Sequence, residues 1–234
     1  MSLGKLLGKR WITPMLSVTN LHVKIAETEI LRNFSMTVRG GEMVSVTGRN
    51  GAGKTTLMRA IMGLAPATSG RIEINGVDFT HLPAHARAPV GVGYMPEDRG
   101  LVPQFTVREN VLLPGWALRL KDIQQRFERV CQWIPELAEM ADRKASSLSG
   151  GQQKFVALGR ALLPAESLLL LDEPFEGVSP KLSRRLAEVI FRIKSERLVV
   201  IISQSEEKQS ADLFSRVYRI ERGQNVTSDK SMAG

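Results

Sequence analysis

The segment that most constrains this chain is Gly48-x-x-x-x-Gly53-Lys54-Thr55. Glycines at this spacing let successive backbone N–H groups surround phosphate oxygens, and a helix that follows adds the positive end of its dipole. Lys54 is then expected to reach the β- and γ-phosphates of a nucleotide, and Thr55 to hold Mg²⁺. The alternative is an ordinary glycine-rich turn before Lys-Thr, a pattern that arises by chance in about one in a hundred chains of this length.

The residues on either side of this segment favour the phosphate loop. Met43 to Thr47 is expected to form a short strand. After the loop, Leu57, Ile61 and Leu64 recur at i, i+4 and i+7, which predicts a helix with an apolar face that Gly63 helps to end. A phosphate loop requires this order of strand, loop and helix.

The rest of the chain predicts an α/β fold. Residues 16–38 have the pattern of two paired strands, which predicts an antiparallel β part, and Asn75-Gly76 is a strong tight-turn signal. Apolar runs at 168–171 and 198–202 alternate with a helix expected from Pro180 to about Lys194. Fully apolar strands that alternate with helices are typical of a mainly parallel sheet covered on both faces.

Between these parts, from about residue 98 to 160, the sequence predicts a helical insertion. Thr106-x-x-Glu109 and Ser149-x-x-Gln152 are capping boxes, which mark two helix starts. The expected organisation is an N-terminal extension over 1–14 and one domain over 15–234 that carries the insertion.

Composition excludes several classes of protein. With 234 residues, 43% of them hydrophobic, the chain suits one domain with an insertion, and no apolar run approaches the 18 or so residues of a membrane-spanning helix. The basic N-terminus lacks the continuous apolar stretch of a signal peptide. The single cysteine, Cys131, excludes an internal disulfide. The net charge of +8 suits an anionic partner, but scattered basic residues and 6% aromatics make nucleic acid an unfavoured one.

A strand that ends in two carboxylates provides the second candidate element. Leu168 to Leu171 are followed by Asp172 and Glu173. Ligands of open parallel sheets bind beyond the carboxyl ends of the strands, so both carboxylates are expected to face the crevice of the phosphate loop. Asp172 can bind Mg²⁺, and Glu173 can polarise an attacking water. Many strands end in acidic residues, so only the combination with the phosphate loop indicates function.

The third element is the run Leu148, Ser149, Gly150, Gly151 and Gln152. Its simplest interpretation is the capping box with a flexible approach. The alternative is a second phosphate-binding surface, made by a serine, two glycines and a helix N-terminus. One chain scarcely needs two such surfaces for one nucleotide.

Together these motifs resemble the ATP-binding cassette (ABC) ATPases, from about Leu16 to Gln224. The resemblance implies a phosphate-loop NTPase core that takes ATP and Mg²⁺, with Thr55 and Asp172 at the metal and Glu173 as catalytic base. It also implies that Leu148 to Gln152, the LSGGQ signature, contacts the ATP of a second cassette in a head-to-tail dimer. The residues implied to contact ATP in this chain are Gly48, Arg49, Asn50, Gly51, Ala52, Gly53, Lys54, Thr55 and Thr56.

Three positions depart from the family pattern. Ile25 stands where the family usually has an aromatic residue that stacks on adenine, so apolar packing on the ring is expected instead. Glu97 replaces the usual glutamine beside the metal; it could accept a Mg²⁺-bound water, or belong to a solvated turn. Gln204 replaces the usual histidine near the γ-phosphate. We expect it to position groups by neutral hydrogen bonds, with a purely structural role at the strand end as the alternative.

A closer resemblance, to the cassettes of branched-chain amino-acid uptake, rests on the segment from Glu97 to Asn110 and on Gln204. It implies transmembrane permease subunits, a second cassette of the same or another chain, and indirectly a substrate-binding protein. The expected location is the cytoplasmic face of the inner membrane, with a permease-docking surface between Glu97 and Leu120. Amide or urea importers use closely similar cassettes.

Two other classes of protein share some of these features. A cassette acting on nucleic acid or ribosomes would explain the basic charge, but such proteins usually carry tandem cassettes. A phosphate-loop GTPase or small-molecule kinase is the other class. The sequence has no Asn-Lys-x-Asp motif for reading guanine, and neither enzyme explains the LSGGQ run.

Overall fold

The computed structural model describes residues 15–194, 198–205 and 214–226, so the predicted N-terminal extension over 1–14 lies outside the described residues. The strands there are β1 (Leu16–Ile25), β2 (Thr28–Val38), β3 (Met43–Thr47), β4 (Ala67–Ile74), β5 (Val77–Asp78), β6 (Val92–Met95), β7 (Leu168–Asp172), β8 (Val199–Gln204), β9 (Arg216–Glu221) and β10 (Gln224–Val226). The α-helices are α1 (Lys54–Met62), α2 (Ala84–Arg87), α3 (Val107–Ala117), α4 (Ile123–Trp133), α5 (Glu136–Glu139), α6 (Gly150–Leu162) and α7 (Pro180–Lys194).

The smaller sheet is antiparallel, with strand order β2-β1-β4-β5. Its centre is β1, where Val18 pairs with Met36 of β2 and with Ile72 of β4. All three of these side chains are buried, so one face of the sheet packs on the core. Asn75 and Gly76 both have positive φ angles, 53° and 74°, in the turn from β4 to β5. The sequence-based prediction of a tight turn there is confirmed.

The larger sheet has the order β10-β9-β3-β8-β7-β6, and its strands from β9 to β6 are parallel. Every residue of β3, β7 and β8 is buried. Leu169 and Leu171 pack into one core with α3, α4, α6 and α7, whereas Leu168 and Leu170 pack into a second core with α1 and the smaller sheet. The predicted α/β fold, with its parallel sheet covered on both faces, is confirmed.

Helices α3 to α6 lie along the chain between β6 and β7. Thr106 begins this part as the N-cap of α3: its side chain accepts a hydrogen bond from the backbone of Glu109 at 3.1 Å, and the Glu109 carboxylate accepts one from the backbone of Thr106 at 2.7 Å. Both bonds of the predicted capping box are therefore present. Phe127 and Val130 of α4 are buried in the same core as α6. No helix in the described ranges is long and apolar enough to cross a lipid bilayer.

The end of α1 differs from the prediction. Leu64 does not continue the apolar face of the helix; it lies beyond the last turn with 48% of its surface exposed. Gly63 adopts φ 80° and ends the helix before Leu64 can turn inward. The buried guanidinium of Arg87 stabilises this end, since it donates to the carbonyl oxygens of Ala60 and Ile61 at 2.9 and 2.8 Å.

Candidate nucleotide-binding site

Four strand ends meet at one edge of the larger sheet. Because β3, β8, β7 and β6 are neighbours and run parallel, their carboxyl ends lie on the same side. In an open α/β sheet this is the edge at which ligands bind. The last residues of these strands are Thr47, Gln204, Asp172 and Met95.

The phosphate loop connects β3 to α1. Gly53 is the N-cap of α1 with φ 111°, and no side chain caps the helix, so its first backbone N–H groups are free of side-chain acceptors. A Cβ atom on Gly48 would lie 2.3 Å from the carbonyl oxygen of Ile220, so the close packing of the loop on β9 requires glycine there. The loop therefore presents an open helix N-terminus suited to an anion.

A cleft of about 770 Å³ opens beside this loop. It is lined by Thr47, Gly48, Arg49, Asn50, Gly51, Ala52, Ser205, Arg219, Ile220, Glu221 and Arg222. Three arginines against one glutamate leave an excess of positive charge, which favours a polyphosphate. The volume is within the usual range for a small-molecule or cofactor site.

Lys54 points back into the protein in this structure. Its ammonium donates to the carbonyl oxygens of Gly48 at 2.7 Å and of Arg49 at 3.2 Å, and it lies 3.0 Å from the carboxylate of Glu173. The side chain of Lys54 is only 5% exposed. Its amine thus lies between the phosphate loop and the carboxylate that follows β7.

Asp172 is a fully buried carboxylate at the end of β7. It accepts hydrogen bonds from the hydroxyl of Ser203 at 2.5 Å and from that of Tyr94 at 3.4 Å. Burial raises the pKa of Asp172 above its ordinary value, and the charge of Glu173 raises it further, while the hydroxyls of Ser203 and Thr55 act against the rise. A carboxylate beside the Thr55 hydroxyl offers the oxygen ligands that Mg²⁺ prefers, so these residues fit the ion.

Glu173 is fixed from several directions. Its backbone has φ 48°, a left-handed conformation uncommon for glutamate. Its N–H donates to the hydroxyl of Ser203 at 3.0 Å, and its carbonyl oxygen accepts from the buried ammonium of Lys154 at 2.9 Å. Its carboxylate contacts Lys54 at 3.0 Å and the hydroxyl of Ser205 at 2.9 Å. The structure thus brings Glu173 together with the phosphate loop, as the sequence predicts.

Glu97 follows β6 and reaches the same edge from the other side. Its side chain is exposed. The pKa of Glu97 is raised, first by partial burial and then by the negative charges of Asp172, Glu176 and Glu173. The role of Glu97 at a metal stays a prediction.

Gln204 and Ile25 are placed differently. Gln204 is the last residue of β8, pairs with Thr47 and is 7% exposed, and its carbonyl oxygen accepts from the N–H of Gly48 at 3.3 Å. Within the described ranges, its side-chain amide makes no hydrogen bond. Ile25 ends β1 with 50% of its surface exposed and does not line the cleft. The predicted roles of both residues remain predictions.

The signature run lies at the start of α6. The side chain of Ser149 accepts from the N–H of Gln152 at 3.3 Å, and the side chain of Gln152 accepts from the N–H of Ser149 at 3.0 Å, so the predicted capping box is confirmed. Leu148 is buried beneath it, whereas Ser149 and Gly150 are exposed. A Cβ atom on Gly151 would lie 2.6 Å from the end of the Leu182 side chain, which would then have to shift.

Sequence reasoning missed four residues of this site. Ser203 and Ser205 stand on either side of Gln204, and their hydroxyls contact the carboxylates of Asp172 and Glu173. Lys154, two residues after the signature, and Tyr94 of β6 are the other two. In the sequence, only their positions beside recognised motifs pointed to a role for these four residues, because each of their contacts joins residues far apart in the chain.

Comparisons with known proteins agree with this arrangement. A family model described as ABC transporter matches residues 31–176. The high-affinity branched-chain amino acid transport ATP-binding protein BraG of Pseudomonas aeruginosa is 32% identical over 219 residues, 94% of either chain. The lipopolysaccharide export system ATP-binding protein LptB of Haemophilus influenzae is 33% identical over 92% of this chain and 90% of its own.

A solved structure extends the similarity to three dimensions. The crystal structure of the ADP conformation of an ATP-binding cassette of an ABC transporter superposes with a TM-score of 0.80, at 25% identity, over 92% of this chain and 90% of that one. The matched residues of the family model include the whole phosphate loop and the Asp172-Glu173 pair. The chain therefore belongs to the ABC transporter family, as an ATPase cassette of that family.

Proposed function

We propose that this chain is the ATP-hydrolysing subunit of an importer of branched-chain amino acids or similar small amides. The observation that carries the proposal is the meeting of Lys54, Asp172 and Glu173 at one sheet edge, beside a cleft of about 770 Å³. The similarity to BraG over 94% of both chains supports the cargo class. The cargo itself would contact the permease and the binding protein, which would select it.

In the proposed site, the triphosphate lies along the phosphate loop from Gly48 to Thr56. Thr55 and Asp172 would hold Mg²⁺, with Glu97 near it, and the ion would neutralise charge on the phosphate oxygens. The open N-terminus of α1 and the arginines of the cleft favour the same charge. Lys54 would leave Glu173 and move to the phosphates, because a triphosphate carries more negative charge than one carboxylate.

Glu173 acts as the general base in this proposal. The departure of Lys54 frees its carboxylate to accept a hydrogen bond from the attacking water and orient it. The backbone of Glu173 stays fixed meanwhile, since Ser203 and Lys154 bind its N–H and its carbonyl oxygen. Gln204 and Ile25 are proposed to contact the γ-phosphate region and the adenine ring.

A second cassette completes the site. Ser149 and Gly150 are exposed at the start of α6, where they can meet the ATP of another cassette in a head-to-tail dimer. ATP would then join two faces, and hydrolysis would release them. We propose that the helical part, about 98–160, transmits this closure to permease subunits at the cytoplasmic face of the inner membrane, with a binding protein acting beyond the permease.

Light scattering on Glu173→Gln tests the nucleotide-driven dimer. With Mg²⁺-ATP the variant is expected to shift from monomer to dimer, because ATP stays bound when the base is removed. ADP serves as the control and is expected to leave it a monomer. If ATP binds without any shift, the proposed self-association is wrong and a different partner cassette is required.

A second candidate function is lipopolysaccharide export, since LptB is as similar to this chain as BraG is. Cells whose only copy of the chain carries Lys54→Ala separate the two. Our proposal expects the uptake of labelled leucine to fall to background while lipopolysaccharide still reaches the cell surface. Normal leucine uptake with defective lipopolysaccharide export would reverse the assignment.

A further inference from the structure

We propose that Ser205 is a positioning residue for ATP hydrolysis, whose hydroxyl aims the carboxylate of Glu173 once Lys54 has moved to the nucleotide. The inference rests on the proposed role of Glu173 as general base. Ser205 follows the last residue of β8, and none of the motifs recognised in the sequence includes it.

The hydroxyl of Ser205 joins three parts of the site. Its oxygen lies 2.9 Å from Oε1 of Glu173, 2.8 Å from Oδ1 of Asn50 in the phosphate loop, and 3.4 Å from Nζ of Lys54. These partners precede Ser205 by 32, 155 and 151 residues. One side chain therefore connects the loop before α1, the segment after β7 and the segment after β8.

Hydrogen-bond chemistry assigns the direction of these contacts. A serine hydroxyl has one proton to donate and can accept two hydrogen bonds. An ionised Glu173 can only accept, so the proton of Ser205 points to its carboxylate. With its one proton used, Ser205 can only accept from Asn50. The side-chain amide of Asn50 is therefore turned over, so that its nitrogen lies where Oδ1 is named and donates to Ser205; hydrogen-bond partners decide which amide atom is which. In this arrangement the hydroxyl of Ser205 donates to Glu173 and can accept from Asn50 and Lys54, so its hydrogen-bonding capacity is filled.

Nucleotide binding changes the balance of contacts at Glu173. The carboxylate contacts two side chains in the described part of the protein, Lys54 and Ser205. When Lys54 turns to the phosphates, Ser205 becomes the remaining contact that limits rotation of the carboxylate. Because Asn50 ties Ser205 to the phosphate loop, the direction of the base is set by the loop that holds the ATP. This arrangement keeps the general base oriented relative to the bound ATP.

An isosteric pair of variants tests the inference. Ser205→Thr keeps the hydroxyl and adds a methyl group. Ser205→Val has the same shape as the threonine variant but carries a second methyl group in place of the hydroxyl. If a hydrogen bond to a charged group stabilises the transition state, its loss lowers the rate by about 10- to 100-fold. Ser205→Val is expected to lower kcat by that factor and to change the KM for ATP less than about twofold, since its partner is the base. Ser205→Thr is expected to restore most of kcat.

A matched control and a parallel variant make the outcome decisive. Ser45→Ala removes a buried hydroxyl from the neighbouring strand β3, one with no hydrogen-bond partner in the described ranges, and is expected to leave kcat unchanged. Equal kcat values for Ser205→Val and Ser205→Thr would overturn the inference, as would a rise in KM alone. Glu173→Gln is measured alongside. If it keeps full turnover, the base assignment itself fails; if it is inactive while Ser205→Val is normal, only the role of Ser205 fails.

Discussion

The Nζ atom of Lys54 lies 3.0 Å from Oε1 of Glu173, and both side chains are more than nine-tenths buried. The lysine of the phosphate loop and the glutamate after β7 therefore neutralise each other in this structure. A buried ion pair of this kind contributes little net stability, because desolvation of both charges offsets their attraction. Removal of one of the two side chains is destabilising, because the charge of the other then remains buried without a partner.

Lys54→Met is expected to destabilise the nucleotide-free protein by about 3–5 kcal/mol, because it leaves the carboxylate of Glu173 buried without its cation. Adding Glu173→Gln is expected to recover part of that loss. Urea unfolding of the two single variants and the double variant gives the coupling free energy. Strict additivity would show that the two side chains do not interact in solution.

Asp172→Asn is expected to raise stability at neutral pH and abolish most ATP turnover. Burial raises the pKa of Asp172, so the stability that this group contributes is present below its unfolded-state pKa of about 4 and is lost as the pH rises through the native pKa. The asparagine variant cannot ionise and avoids that loss. Denaturant unfolding across pH 4 to 8 should show its advantage growing with pH; a constant difference would contradict the cause.

Lys154→Met is expected to lower both stability and turnover. The ammonium of Lys154 donates to the carbonyl oxygens of Glu173 at 2.9 Å and Pro174 at 3.1 Å. A methionine leaves the Pro174 oxygen unpaired and the Glu173 oxygen with only the N–H of Glu176, at a cost of about 1–3 kcal/mol. Thermal unfolding and steady-state ATP hydrolysis measure the two effects. The exposed Lys144→Met provides the control and should behave as the parent does. Normal turnover in Lys154→Met would show that these bonds do not help to place Glu173.

Gly48→Ala is expected to lower ATP turnover by on the order of 100-fold, since a Cβ atom 2.3 Å from the carbonyl oxygen of Ile220 forces the loop to shift. Gly40→Ala adds the same atom where no other heavy atom lies within 4 Å, and should be neutral. Steady-state hydrolysis, with circular dichroism to verify folding, compares the two. Similar activities would mean that the loop tolerates displacement.

The sequence predicted those parts of the structure that depend on neighbours along the chain. The capping boxes at Thr106 and Ser149 and the turn at Asn75-Gly76 are local patterns, and all three form as expected. The order of motifs also indicated which strand ends would meet, because parallel strands place them at one edge.

Contacts between distant segments were beyond this reasoning. Ser205 carries no pattern of its own, and its importance comes from Asn50 and Glu173, which only the sheet brings near. The burial of Arg87 has no local signal either, since its acceptors lie on α1. Leu64 is a case in which a local pattern was misleading. The residue fits the helical repeat, but Gly63 ends α1 before it.

The place of β3 in the larger sheet has a consequence for protein synthesis. Its neighbours on both sides are β8 and β9, which the ribosome makes last among the parallel strands, and Asn50 precedes Ser205 by 155 residues. At about 5–20 residues per second, that interval lasts roughly 8–30 s. During this time the phosphate loop exists without the sheet that shapes it. A nascent chain therefore cannot hydrolyse ATP at this site before β8 and β9 have been synthesised.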